Sequence, residues 1–132
     1  MTHLLDTNIC IYIINRRPPG VLERFNEHSL GALGVSSITA SELAYGAAKS
    51  GSGRNRHALE KFLAPLEVLP FDRDAMWSYG TLRAALERKG RPIGTMDTLI
   101  AAHVLALGVT LVTNDEGEFG RVPGLRVENW AK

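Results

Sequence analysis

The stretch His3-Leu4-Leu5-Asp6-Thr7-Asn8-Ile9 reads as a strand that turns directly into a helix. Its apolar run stops at Asp6-Thr7-Asn8, and beyond it Ile9, Tyr12, Ile13 and Arg16 recur at helical spacing. The stretch Thr110-Leu111-Val112-Thr113 has the same form, a β-branched apolar run that empties into the polar loop Asn114-Asp115-Glu116-Gly117. Three more brief strands are expected, at Ala32-Leu33-Gly34-Val35, Val68-Leu69 and Leu125-Arg126-Val127.

Helical segments separate these strands. Pro18-Pro19-Gly20 stops the first helix, and Pro19 suits the first turn of a second, whose apolar face is Val21, Leu22, Phe25 and Leu30. Ser36-Ser37-Ile38-Thr39 opens a third, and a fourth is expected from Arg54 to Leu66. Phe71-Asp72-Arg73-Asp74 starts a long amphipathic helix that Gly90 closes. Thr95 is a candidate cap for a helix from Met96 to Leu107, so apolar that it is expected to be buried on several sides. Short strands alternating with helices predict an α/β fold, a parallel sheet covered on both faces.

Composition narrows the class. The 132 residues predict a single domain over 1–132, and 45% hydrophobic with 22% charged residues excludes a disordered tail or a fibre. Fifteen Lys and Arg against fourteen Asp and Glu leave a net charge of +1, so any polyanion must meet a local patch rather than a global field. Cys10 is the lone cysteine, which excludes an internal disulfide and a zinc cluster and suits a reducing compartment. Asp6 and Asn8 interrupt the opening apolar run as no secretion signal would, and no stretch reaches the length of a membrane span. A cytoplasmic protein with no membrane partner is expected.

The five aspartates divide into two groups. Asp72 and Asp74 sit in a helix first turn, where they complement the positive helix end by about 0.3–1 kcal/mol each. Asp6 and Asp115 instead follow strands, and Asp97 begins an otherwise apolar helix. In an open parallel sheet, ligands bind in the crevice beyond the carboxyl ends of the strands. Glu42 is the fourth candidate, although Thr39-Ala40-Ser41-Glu42 also matches a capping box in which Glu42 would reach back to the Thr39 amide.

If these acids converge, electrostatics limits what the crevice can be. Two carboxylates ~5 Å apart repel by about 3 kcal/mol at an effective dielectric of 20. Four cannot all stay ionised without a cation, so either protons are retained or a metal binds. Oxygen-only ligands select a hard ion, Mg²⁺ or Mn²⁺, and such a centre suits phosphoryl chemistry.

The motifs Leu4-Leu5-Asp6-Thr7-Asn8, Ser41-Glu42-Leu43, Gly94-Thr95-Met96-Asp97-Thr98-Leu99-Ile100-Ala101-Ala102 and Leu111-Val112-Thr113-Asn114-Asp115 stand in the order and spacing of PIN-domain nucleases. The chain most closely resembles the VapC toxins of bacterial type II toxin–antitoxin systems, from Leu4 to about Trp130. The resemblance implies a three-layer α/β/α fold with a central parallel sheet of four to five short strands, and a Mg²⁺-dependent endoribonuclease that leaves 5′-phosphate ends. It makes Asp6 and Asp97 direct metal ligands, with Glu42 and Asp115 as further ligands or water-positioning groups. Glu118 is the alternative fourth acid, and Asn8 and Thr113 match supporting polar positions. The substrate it implies is tRNA, with the anticodon stem-loop of initiator tRNA as the particular target. The partners it implies are a VapB antitoxin and a second copy of the chain, in a larger assembly held on operator DNA through the antitoxin.

Two other readings compete. One is a PIN-like assembly module that has lost catalysis, against which four intact acids speak. The other is a phosphotransfer domain, which needs an Asp-x-Asp nucleophile or a lysine after a strand, neither of which is present. Among the remaining groups, Arg83, Arg88, Lys89 and Arg91 precede Asp97 and are candidate contacts for RNA phosphates, as Arg54, Arg56, His57 and Lys61 are farther off. His103 is expected to be a hydrogen-bonded core histidine, Cys10 an apolar filler, and Trp77 and Trp130 packing residues.

Overall fold

Side chains alternate across a strand, and in this protein the two faces feed two separate cores. Leu5, Leu33, Val35 and Val112 point into one, while Leu4 and Leu111 point into the other. The computed structural model describes residues 1–132. Its elements run β1 (His3–Leu5), α1 (Thr7–Asn15), α2 (Pro19–Asn26), β2 (Leu33–Ser36), α3 (Ser37–Ser50), α4 (Gly53–Leu63), β3 (Glu67–Leu69), α5 (Arg73–Arg88), α6 (Thr95–Leu107), β4 (Thr110–Val112), α7 (Glu116–Phe119) and β5 (Arg126–Glu128).

All five strands are parallel, in the order β3-β2-β1-β4-β5. The three-layer α/β/α architecture with a short-stranded sheet is therefore present. The chain winds outward from β1 through β2 to β3, then crosses back to place β4 on the other side of β1. That reversal lies between β1 and β4, paired in the register Leu4 to Leu111 and Leu5 to Val112, and it is where an open sheet leaves a crevice.

Helices α1 to α4 and Trp130 close the first face, and α5 and α6 close the second. Helix α6 buries Ile100, Ala101, Ala102, His103 and Val104, as its nearly continuous apolar sequence requires. Gly108 ends it at φ +70°, a conformation that costs a residue with a side chain about 1 kcal/mol or more. No helix is long and apolar enough to cross a membrane.

Several sequence expectations need correction. Leu30 does not line the second helix; it lies in a 3₁₀ turn, Leu30–Ala32, and is 43% exposed. The fourth helix stops at Leu63 rather than Leu66, and Arg16 is the exposed left-handed cap of α1 rather than part of its buried face. Trp130 packs as expected at 1% exposure, whereas Trp77 stands 67% exposed on the outer face of α5. The polar loop after β4 contains one helical turn, α7, capped by Asp115.

Candidate metal centre

Asp6 follows the last residue of β1 directly, so the end of the strand fixes its position. Its backbone N–H continues the ladder to the Val112 carbonyl at 3.0 Å, and its Oδ1 accepts the Ile9 N–H at 2.9 Å as the N-cap of α1. The carboxyl is 5% exposed. Burial pushes its pKa from 3.8 up to about 6, against the pull of the Thr113 hydroxyl and the Ile9 amide, with the charges of Asp115 and Glu42 adding to the rise.

Thr113 and Asp115 leave the end of β4 in the same way. The Asp115 N–H donates to Thr113 Oγ1 at 3.0 Å, which leaves the buried Thr113 hydroxyl proton free to serve Asp6. One side chain thus holds the two strand ends in relation to each other. Asp115 Oδ1 accepts the Glu118 N–H at 3.0 Å and so starts α7, which presents Glu118 to the crevice.

Asp97 enters from the third direction, in the first turn of α6 behind the cap residue Gly94. Its pKa is raised from 3.8 to about 7, first by partial burial and then by the adjoining carboxylate of Glu118 and the charges of Asp115 and Asp6. Glu118 is held below its ordinary value by Asp97 and by the Gly94 N–H, which donates to its Oε1 at 2.6 Å. The two carboxyls thus lean in opposite directions, Asp97 toward its protonated form and Glu118 toward its charged form.

Glu42 reaches the crevice from α3. The capping-box expectation fails because α3 begins three residues earlier than Thr39 required: Ser36 is the N-cap, accepting the Ile38 N–H at 3.1 Å. Thr39 instead lies buried with its hydroxyl unpaired. Freed from a cap, Glu42 accepts a hydrogen bond at 2.7 Å from the hydroxyl of Thr7, the residue after Asp6.

The structure therefore brings Asp97, Asp115 and Glu118 together, each with a carboxylate oxygen within 4.8 Å of the other two. Asp6 lies within electrostatic reach of Asp97, Asp115 and Glu42. Ligands on opposite sides of Mg²⁺ stand about 4.2 Å apart, so this set can close on the ion with small side-chain movements or through water. The oxygen-only donors and their close spacing fit a hard divalent cation. Both candidates for the fourth acid reach the crevice, because the α7 turn puts Asp115 and Glu118 on the same side.

Asn8 does not join them; it is exposed on α1 and makes no side-chain hydrogen bond. Sequence reasoning missed Thr7, whose signal was only its place beside Asp6. It also missed the pair Tyr12 and Asn114, in which Asn114 Nδ2 donates to the tyrosine oxygen at 2.8 Å and ties α1 to the loop after β4. On the other flank of Asp97, Arg83 is engaged with Glu87 and Tyr79, while Arg88, Lys89 and Arg91 are exposed at the end of α5.

Comparison with known proteins identifies the chain's relatives. The model of the PIN domain family matches residues 3–125. The tRNA(fMet)-specific endonuclease VapC of Shigella flexneri is 46% identical over 129 residues, 97% of each chain. Ribonuclease VapC2 of Rickettsia felis is 44% identical over the full length of both chains. Among solved structures, DNA-bound VapBC from Salmonella typhimurium superimposes with a TM-score of 0.93 at 44% identity, covering 98% of each chain.

Proposed function

The chain belongs to the PIN domain family, as one of its VapC toxin ribonucleases, and on that premise we propose that it hydrolyses tRNA at the Asp6, Glu42, Asp97, Asp115 and Glu118 crevice with Mg²⁺ or Mn²⁺. The observation that carries this reading is the convergence of three carboxylates within 4.8 Å beside a fourth that is buried at the end of β1. The curated relative in Shigella flexneri is named for initiator tRNA, and initiator tRNA is the substrate proposed here. Cytoplasmic action follows from that substrate.

A bound Mg²⁺ or Mn²⁺ would neutralise the cluster, make a water acidic enough to attack at neutral pH and offset charge on the phosphate. Asp6 and Asp97 would hold it directly, with Asp115 and Glu118 completing the set. Asp6 is buried and its Oδ1 is held by the Ile9 amide. Asp97 gives up its proton near neutral pH, since its pKa of about 7 sits at that boundary. Glu42, steered by Thr7, is the group positioned to orient a water and accept its proton. Arg88, Lys89 and Arg91 contact RNA phosphates on the α5 side.

The partner is a VapB antitoxin, matching the VapBC complexes among the structural neighbours. A groove of about 330 Å³ between α1, α3 and α4 is lined by Ile11, Ile14, Leu43 and Leu59 and includes Thr7 and Glu42. An amphipathic antitoxin segment laid along it would carry an Arg or Lys to the acids, where a guanidinium replaces the cation. A second copy of the chain and operator DNA held through the antitoxin complete the assembly.

The test is sequencing of tRNA ends after brief induction of the wild-type chain beside Asp6→Ala. New 5′-phosphate ends confined to the wild type support the reading, and identical ends in both overturn it.

A further inference from the structure

A second cleft, of about 120 Å³, lies between α5 and the segment that leads into α6. Its floor is apolar, from Leu86 and Ile93, and its walls carry Tyr79, Arg83 and Thr95. Its volume is below the range of clefts that hold a drug-sized ligand (about 300–1,000 Å³), so it has room for one planar ring at most and not for a peptide segment. The polar groups are only partly used. The Arg83 guanidinium spends one N–H on the Tyr79 oxygen at 2.8 Å and one on Glu87 at 3.2 Å, leaving three of its five donors free. The Tyr79 hydroxyl proton is also uncommitted, and the exposed Thr95 hydroxyl makes no hydrogen bond.

The position matters as much as the chemistry. Thr95 and Thr98 line the cleft and bracket Asp97 in the same helical turn. Gly94, between the cleft residues Ile93 and Thr95, donates its N–H to Glu118, so the segment that walls the cleft also borders the acids. The separation is at most about one helix diameter, roughly 10 Å. An RNA strand whose scissile phosphate lies on Asp97 would carry its next nucleotides past this opening.

We propose that Tyr79, Arg83 and Thr95 form a subsite for one unpaired base of the RNA, flanking the phosphodiester that is cut. Tyr79 supplies the stacking wall above the Leu86 and Ile93 floor, and the free Arg83 donors reach acceptors on the base edge. The subsite rests on the ribonuclease reading above and deepens it, since it makes sequence context at one flanking position a determinant of cleavage.

The test uses RNA hairpins spanning the mapped cut, each with one abasic residue, cleaved by the wild type, Arg83→Gln, Thr95→Val and Tyr79→Leu. Arg83 and Thr95 are exposed, so their variants keep the fold. For the wild type, one abasic position is expected to lower kcat/KM roughly tenfold, as loss of a stacked base does. Arg83→Gln and Tyr79→Leu are expected to be weaker on intact RNA and to lose nothing further at that position. Variants as sensitive as the wild type at every position overturn the subsite, as does a wild type indifferent to all of them. A drop in salt dependence for Arg83→Gln without any abasic effect marks a phosphate contact and also overturns it. Failure of the wild type to cut any RNA with Mg²⁺ or Mn²⁺ present overturns the ribonuclease reading itself, and the subsite with it.

Discussion

The backbone amide of Gly94 donates to Oε1 of Glu118 at 2.6 Å, so the cap of α6 and the single turn of α7 are held together at the acidic crevice. That bond aims Glu118 at Asp97, and it is a contact that a glutamine can also make. Glu118→Gln is therefore expected to keep the geometry and lower divalent-ion affinity modestly. Glu118→Ala, which also frees the Gly94 amide, is expected to lower it about 10- to 100-fold. Equilibrium Mn²⁺ binding by the two variants checks the order.

The crevice destabilises the ion-free protein at neutral pH. Asp6 and Asp97 have folded pKa values of about 6 and about 7 against 3.8 for the free side chain, so the folded state binds protons more tightly than the unfolded one. Their contribution to stability is complete below about pH 4 and is lost as pH rises through 6 and 7. For Asp6, shifted by about two units, the loss is of order 3 kcal/mol. In EDTA, urea melts should show a less stable protein at pH 8 than at pH 5.5, with Mg²⁺ restoring much of the difference at pH 8.

Replacing the repelling charge separates stability from activity. Asp97→Asn is expected to lose at least a hundredfold in RNA cleavage while its ion-free Tm at pH 8 rises by several degrees. A fall in both would mean that Asp97 serves the fold rather than the chemistry. Thermal melts beside single-turnover cleavage distinguish the two.

Thr7 positions Glu42 through one hydroxyl. Thr7→Val keeps the shape and removes the donor, so kcat is expected to fall about tenfold with little change in stability. Thr7→Ser retains the donor and is expected to stay within a factor of two or three. Stopped cleavage assays at saturating RNA measure both.

Ser36 links two buried structures. It caps α3, and its Oγ lies 2.9 Å from Nδ1 of His103, which is 1% exposed and whose pKa burial lowers. Ser36→Ala removes a cap worth about 0.5–2 kcal/mol and leaves the imidazole unpaired at a further 1–3 kcal/mol. A destabilisation of roughly 2–4 kcal/mol is expected in urea melts.

The strand ends were legible in the sequence because they are local. His3-Leu4-Leu5 and Thr110-Leu111-Val112 each stop at polar residues, and the sheet places both stops in one crevice. The side on which Glu42 would fall was not legible, since Thr39 and Ser36 are both acceptable caps and the choice is made by His103, sixty-seven residues away. Glu118 was ambiguous for a similar reason: one helical turn of four residues leaves almost no periodic signal, yet it decides that Asp115 and Glu118 both point inward. Trp77 shows the limit of composition, because large aromatic residues favour the interior in general and this one lies on the outer face of α5.

Calorimetric titration of Mn²⁺ into the purified chain at pH 7.5, beside the Asp6→Asn/Asp97→Asn double variant, puts the most direct question to the crevice. Saturable binding with proton release in the wild type, absent from the double variant, is the predicted result. Equal binding by the two proteins, or none by either, would show that these carboxylates do not share a cation.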